Sequence, residues 1–326
     1  MDYKSLPVNI DFVCKFLQER DLFVILTHAS PDGDALGAGF GLCLALQKMN
    51  KRAKVLCPDP IPQKYFYFTK TAADQEFVGR TIIAVDLADT KLLGGLEEEY
   101  GDKIELCIDH HISNTGYASY LMLDPDAAAT CECIYDIIKR LGVEIDKNIA
   151  LALYTGISTD TGCFKYSNTT AKTHLIAAEL INTGIDSSEI NRIMFDTKSR
   201  QRLELERMAL EDMEYYFGGK CSIITVTKAM IDKSGCTDDE LEGITSISRA
   251  VEGIVAGVTI KEKLPQVYKI SIRTHAPLDA SSICRRLGGG GHARAAGCEL
   301  KGPLEDVKSR ILGSIKQALE EAQCTV

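Results

Sequence analysis

No apolar run in this chain of 326 residues is long enough to cross a bilayer, which takes about 20 residues of helix. The opening segment, Met1 to Pro7, has neither the charged-then-apolar order of a signal peptide nor the Arg-rich character of a transit sequence. Membrane and secretory classes are set aside on these grounds, and the expected location is the cytoplasm. A Cys-x-x-Cys pair is missing as well. The twelve cysteines are scattered, most of them in apolar runs, as at Cys14, Cys43, Cys57, Cys107 and Cys221. The nearest pair, Cys131 and Cys133, is too tightly spaced for a zinc knuckle. Reduced, buried thiols are expected rather than disulfides or zinc thiolates. Nor is there a basic tract: the formal net charge is −9. Proteins that grip long duplex nucleic acid rely on phosphate contacts from a basic face, so a small or short substrate is favoured. No internal repeat or low-complexity segment is visible.

What remains is the composition of a globular protein, 45% hydrophobic and 25% charged, with chain enough for about two domains. In the first half, short runs rich in Val and Ile alternate with helical patterns. Residues 23–27, 53–57, 81–85, 105–108 and 120–123 read as buried strands. Helical patterns over 36–49, 64–68 and 90–100 lie between them. This alternation predicts an α/β fold with a mostly parallel, doubly wound sheet covered on both faces. Helices follow over 128–141, 147–155, 170–182 and 187–195, and a charged helix from 197 to about 216 ends at Gly218-Gly219. A smaller α/β domain with a mixed sheet comes next: strands over 221–227, 254–260, 268–273 and 298–300, and helices over 278–287 and 304–321. The expected division is 1–190, a helical linker at 191–218, and 219–326.

Ligands of a parallel sheet bind beyond the carboxyl ends of its strands, and the informative residues fall there. Asp109-His110-His111 ends the run that begins at Glu105, and three ionisable groups closing an apolar strand are costly to place unless they meet metal or phosphate. His28, Asp32 and Asp34 crowd the turn between a strand and a helix. Asp32 alone would read as a helix cap, but a His and two Asp converging on one turn read better as ligands. Asp86 closes another apolar strand, and Asp160 sits in a Thr-Asp-Thr-Gly turn. Imidazole and carboxylate without thiolate suit Mn²⁺, Mg²⁺, Co²⁺ or Zn²⁺, and the carboxylate excess tempered by imidazole favours Mn²⁺, with Mg²⁺ or Co²⁺ as alternatives. Two such ions activate water for in-line attack on phosphorus, so the inferred reaction is phosphoester hydrolysis. Asn114 either orients a ligand or makes a turn.

A second constellation runs from Leu287 through four glycines, Gly288 to Gly291, to His292, Arg294 and Gly297. Consecutive glycines expose backbone N–H groups to an anion, and His292 and Arg294 suit phosphate contact and base stacking. Arg273 ends the preceding strand and is a candidate for the same surface. Surface or structural roles are expected for His174 and His275.

Taken together, these motifs resemble the DHH phosphoesterase family along essentially the whole chain. The run from His28 to Asp34 looks like its first motif, Val85-Asp86 its second, Asp109-His110-His111 its third and Ser158 to Gly162 its fourth. Gly288 to Gly297 is similar to the glycine-rich signature of the DHH-associated C-terminal domain. The resemblance implies two metal ions, one held by His28, Asp32 and Asp86, the other by Asp34, Asp86, His110 and Asp160, with Asp86 shared. It implies that His111 meets the scissile phosphate as general acid and that Asp109 orients an imidazole. Arg273, Gly289, Gly290, His292 and Arg294 would hold substrate facing the metals across an interdomain cleft. In size and motif content the chain resembles the short two-domain nanoRNase and phosphoadenosine-phosphate phosphatase branch. The implied substrates are very short single-stranded RNA or DNA, linear dinucleotides, and 3′-phosphoadenosine 5′-phosphate. The alternatives are a RecJ-like single-strand exonuclease and a non-catalytic dinucleotide sensor. No long duplex and no membrane is expected as partner, and a homodimer is left open.

Overall fold

In the computed structural model, which describes residues 5–237, 239–241 and 243–323, the chain divides into two units between Thr197 and Lys198. In chain order the first carries Leu6–Pro7 (β1), Ile10–Glu19 (α1), Phe23–Leu26 (β2), Gly33–Lys48 (α2), Ala53–Leu56 (β3), Phe66–Thr69 (α3) and Thr81–Val85 (β4). It continues with Glu97–Tyr100 (α4), Leu106–Asp109 (β5), Tyr120–Leu123 (β6), Thr130–Arg140 (α5), Lys147–Asp160 (α6), Ala171–Asn182 (α7) and Ser187–Asn191 (α8). The strands lie in the order β1-β6-β5-β4-β2-β3, and every pairing is parallel. β2 and β4 are apolar and buried at nearly every position because alternate side chains enter different cores. Phe23, Ile25, Ile83, Val85, Leu106 and Ile108 pack with α1, α2, α5 and α6, while Val24, Leu26, Ile82 and Ala84 meet Leu87, Leu93 and Ile104 on the other face. Truncating a fully buried side chain such as Ile83 to Ala should cost ~2–5 kcal/mol.

The order of the strands matters for the site. β2 and β4 are neighbours, yet the chain leaves β2 for β3 on one side and β4 for β5 on the other. That reversal opens a crevice beyond the carboxyl ends of β2 and β4.

Several elements depart from expectation. The helix expected over 147–155 runs on to Asp160. Gly156 does not end it; a Cβ there would come within 2.2 Å of Cys131 Sγ and 3.0 Å of Asp34 Oδ1, so the glycine lets α6 approach α2 and α5 closely. Asp160 is therefore the last residue of a helix, not a residue of a turn. The helix expected over 90–100 is broken at Gly94, whose φ is +52°. Residues 5–20, for which no element was expected, supply β1 and α1.

The second unit carries Arg200–Glu211 (α9), Glu214–Tyr216 (β7), Cys221–Val226 (β8), Lys228–Ser234 (α10), Ala256–Leu264 (β9), Val267–Thr274 (β10), Ala280–Arg286 (α11), Gly290–His292 (β11), Ala295–Lys301 (β12) and Leu304–Gln323 (α12). Its sheet is mixed: β8–β9 is parallel and the remaining pairs of the order β11-β12-β10-β9-β8-β7 are antiparallel. The helix expected to reach about Tyr216 stops at Glu211, and the stretch after it becomes an edge strand. α9 packs its Leu205, Met208 and Ala209 against Ile224, Val226 and Ile231 of this unit. Among the described residues the cysteines are free, most of them buried, and no helix is long and apolar enough to cross a membrane.

Candidate metal centre

Strand ends and helix ends meet at the crevice. His28 follows β2, Asp86 follows β4, and Asp109 ends β5 with His110 and His111 directly after it. The first turn of α2 contributes Asp34, and the last residue of α6 is Asp160. Asp86 is the hub. Its Oδ2 lies 3.7 Å from His28 Nε2, and its Oδ1 lies 3.7 Å from His110 Nε2 and 3.5 Å from His111 Nδ1. His28 Nε2 is 3.7 Å from Asp32 Oδ1, and His110 Nε2 is 3.9 Å from Asp34 Oδ2 and 3.6 Å from Asp160 Oδ2. These separations are longer than hydrogen bonds and suit donor atoms ~3–4 Å apart around a shared ion with bonds of about 2.0–2.2 Å. Three overlapping groups have their ligand atoms within 4.8 Å of one another: His28, Asp32 and Asp86; Asp34, His110 and Asp160; and Asp86, His110 and His111.

Local structure aims these groups. His28 Nδ1 lies 2.9 Å from the Ala29 carbonyl and His110 Nδ1 lies 3.1 Å from that of Ala127. With Nδ1–H donating there, each ring presents Nε2 to the cluster. Asp86 adopts a left-handed φ of +54°, rare for a residue other than glycine, and its N–H donates to the Ile108 carbonyl at 3.0 Å. Asp32 does cap α2: its Oδ1 accepts the N–H groups of Asp34 and Ala35 at 3.1 and 3.0 Å. The same oxygen faces His28, so capping and membership of the cluster coexist.

Asp34, almost fully buried, receives the Thr130 and Cys131 N–H groups at 2.6 and 2.9 Å, both from the start of α5, where the helix dipole favours an anion. Thr130 Oγ1 donates to Asp86 Oδ1 at 2.8 Å. Sequence reasoning missed Thr130; its only signal was a hydroxyl opening a helix after three alanines. It missed Asn168 too, whose Nδ2 donates to the Asp160 carbonyl at 3.2 Å and to that of Ala128 at 2.9 Å.

Asp109 does not join the cluster. It is fully buried, and its Oδ1 takes His110 N–H at 2.8 Å, His111 N–H at 3.1 Å and His111 Nδ1–H at 2.8 Å. Asn114 Nδ2 donates to its Oδ2 at 2.7 Å. Asn114 thus orients Asp109 and makes the turn as well, its N–H reaching the His111 carbonyl at 2.9 Å.

Electrostatics follow from this crowding. Burial alone would lower the His28 imidazole, but Asp32 and Asp86 lift it to about 11. Burial is likewise outweighed at His110, which Asp34, Asp160 and Asp86 raise to about 9. Burial and then the charges of Asp86 and Asp160 push Asp34 well above the carboxylate range. Asp160 rises to about 7 through burial, against the pull of His110. The hydrogen bond that His111 donates to Asp109 raises its imidazole; burial would raise Asp109, but His111 and Asn114 hold it low. Carboxylates forced together in this way repel unless protons or cations sit among them. The donor set, oxygen and imidazole with no thiolate, fits divalent metal ions.

In the second unit the glycine run is not a loop throughout. Gly290, Gly291 and His292 pair with Gly297, Ala296 and Ala295. A Cβ on Gly289 would lie 2.2 Å from the Gly297 carbonyl oxygen, and one on Gly291, where φ is +141°, 2.7 Å from that of Ala295. Backbone packing therefore accounts for these two glycines, whereas a Cβ on Gly290 would meet nothing. His292 and Arg294 are exposed, and Arg294 Nη1 donates to the Leu278 carbonyl at 2.6 Å. Arg273, on β10, lies opposite Ala295 and Gly257 and donates to its neighbour's carbonyl, Ile272, at 3.4 Å. His275 is exposed after β10, and His174 stacks on Phe164 with ring centroids 5.4 Å apart.

Residues 22–157 match the model of the DHH family N-terminal domain, and residues 222–321 that of the DHHA1 domain. A bifunctional oligoribonuclease and PAP phosphatase NrnA of Thermus thermophilus is 34% identical over 91% of this chain and 90% of its own length. A protein of the same name from Bacillus subtilis is 28% identical over 92% of this chain and 96% of its own. The crystal structure of an exopolyphosphatase-related protein from Bacteroides fragilis superposes with a TM-score of 0.84 at 27% identity, covering 96% of this chain and 95% of that one. With these matches and the convergence of the strand-end carboxylates and imidazoles, the chain belongs to the DHH family and carries a DHHA1 domain after its DHH domain.

Proposed function

We propose that this protein is a metal-dependent phosphoesterase that hydrolyses very short oligonucleotides and linear dinucleotides to nucleoside 5′-monophosphates, and 3′-phosphoadenosine 5′-phosphate to AMP. The observation that carries the reading is the hub at Asp86, whose two oxygens face His28 on one side and His110 and His111 on the other. A carboxylate so placed suits two ions that share it. His28, Asp32 and Asp86 would hold one ion; Asp34, Asp86, His110 and Asp160 would hold the second. Divalent ions, Mn²⁺ above all, would supply Lewis-acid charge and a lowered pKa for water at neutral pH.

The chain's own residues do the rest. Asp109 occupies Nδ1 of His111, which leaves Nε2 as the atom that meets the scissile phosphate. Asp109 also raises the imidazole's proton affinity, so His111 donates that proton to the leaving oxygen as general acid. Thr130 and the start of α5 keep Asp86 and Asp34 in place as charge moves. In the DHHA1 domain Arg273, His292 and Arg294, with the backbone at Gly289 and Gly290, hold the substrate's terminal phosphate or base. The names of the Thermus and Bacillus relatives support this choice of substrates. Division into a DHH domain over 1–190, a connecting stretch at 191–218 and a substrate-holding domain over 219–326 belongs to the same reading.

The test compares a labelled dinucleotide, a labelled 20-mer and 3′-phosphoadenosine 5′-phosphate in the presence of Mn²⁺. Hydrolysis of the dinucleotide is expected to exceed that of the 20-mer, and Asp86→Ala to lose at least about 100-fold. A preference for the 20-mer overturns the short-substrate reading. Activity surviving in Asp86→Ala overturns the shared-carboxylate centre.

A further inference from the structure

Glu132 lies on the first turn of α5, 1% exposed, and neither of its carboxylate oxygens has a hydrogen-bond partner among the described residues. An ionised carboxylate in such a place is costly unless a positive group meets it. Lys172 feels its charge, but the Lys172 ammonium is held 2.8 Å from Asp136 Oδ2 and is already balanced there. Glu132 is left to share that one ammonium with Asp136, and both its oxygens stay without a hydrogen bond.

Two further buried oxygens are unpartnered nearby: Asn168 Oδ1 and Thr169 Oγ1. The segment that carries them is pinned alongside α5 at both ends. Asn168 Nδ2 reaches the Ala128 carbonyl at 2.9 Å, four residues before Glu132, and Lys172 grips Asp136, four residues after it. Glu132 sits midway in sequence between those two ties and, four residues from Asp136, shares its side of α5. The Asn168 amide cannot reverse, because Nδ2 donates to the carbonyls of both Ala128 and Asp160, so Oδ1 must point elsewhere.

We propose that Glu132, Asn168 Oδ1 and Thr169 Oγ1 form a site for a monovalent alkali cation, K⁺ or Na⁺, separate from the divalent centre. The donors are all oxygen, which excludes ions that prefer imidazole or thiolate. One carboxylate among neutral oxygens matches a single positive charge, whereas divalent sites gather more carboxylates. The cation would tie the loop behind Asp160 to the helix start that holds Asp34. The inference does not depend on which phosphoester the protein cleaves.

Thermal unfolding of the full chain, loaded with Mn²⁺, tests it in potassium, sodium and N-methylglucamine chlorides at equal ionic strength and pH. The wild type should melt ~4 °C higher in an alkali salt held near ten times its Kd. Thr169→Val, which keeps the shape and loses one oxygen, should show a smaller difference, and Glu132→Gln none. Rubidium soaked into crystals should give an anomalous peak beside the Glu132 carboxylate. Equal wild-type melting in all three salts, or crystals without that peak, overturns the proposal. If Glu132→Gln does not fold, the wild type and Thr169→Val decide the matter.

Discussion

Replacing Asp109 by Asn isolates the group that steers His111. The carboxylate takes three donors on Oδ1 and Asn114 Nδ2 on Oδ2, all between 2.7 and 3.1 Å. An Asn keeps one acceptor oxygen for the first three and turns an NH₂ toward Asn114, donor against donor. Asn114 cannot flip without loss, because its Oδ1 already accepts the Gly116 N–H at 2.9 Å. The change therefore removes one charge-assisted hydrogen bond and the negative charge that supports the His111 imidazolium. At about 1.5–3 kcal/mol, kcat/KM on a dinucleotide should fall ~10- to 150-fold at neutral pH. The sign with pH follows from His111. Asp109 raises its pKa, so the acid form survives to higher pH in the wild type. In Asp109→Asn the alkaline limb of the pH–rate profile should move to lower pH. Bound Mn²⁺, counted by mass spectrometry or atomic absorption, should not change, since Asp109 lies outside the three ligand groups. An unshifted alkaline limb with full activity would refute the acid role of His111; loss of Mn²⁺ would show that Asp109 supports the ligands themselves.

Further expectations concern the supports of the two domains. Thr130→Val deletes the 2.8 Å hydrogen bond to Asp86 Oδ1; by ~1–3 kcal/mol, Mn²⁺ affinity measured by isothermal titration should weaken about 5- to 150-fold. Gly289→Ala would place a methyl 2.2 Å from the Gly297 carbonyl oxygen and should destabilise the DHHA1 domain by ~2 kcal/mol or more, whereas Gly290→Ala, with nothing within 4 Å, should be near neutral in urea unfolding. Glu206, though burial works the other way, has its pKa lowered by Lys198 at 2.9 Å and Arg202 at 2.7 Å. A lowered folded-state pKa means stability that is present above about 4.3, the unfolded value, and lost as pH falls through the folded one. Glu206→Gln should cost ~2 kcal/mol at neutral pH, and the gap to wild type should close on acidification; a constant gap would refute the ion-pair account.

Much of the first domain was legible because its signals are local. The strands at 81–85 and 120–123 coincide with the apolar runs, and the ligand candidates at 28, 32, 34, 86, 110 and 160 sit where parallel strands or their helices begin and stop. Length signals were less reliable where a residue answers to a distant neighbour. The helix expected over 147–155 runs on through Gly156 to Asp160, and that glycine lets Cys131 and Asp34 approach. The run Gly288 to Gly291 reads as an anion loop, yet Gly289 and Gly291 answer to the carbonyls of β12.

The sequence by itself determined the α/β alternation, which carboxylates and imidazoles stand at the strand and helix ends, and the absence of thiolate from that set, because burial pattern and ligand chemistry belong to residue types. The resemblance already implied that Asp86 is shared and that Asp109 orients an imidazole; only the tertiary structure decided that this imidazole is that of His111 and that Thr130 and Asn168 brace Asp86 and the end of α6. Those relations depend on strand order and on the angle at which α5 and α6 meet the sheet. They come from long-range packing, which no window of sequence contains.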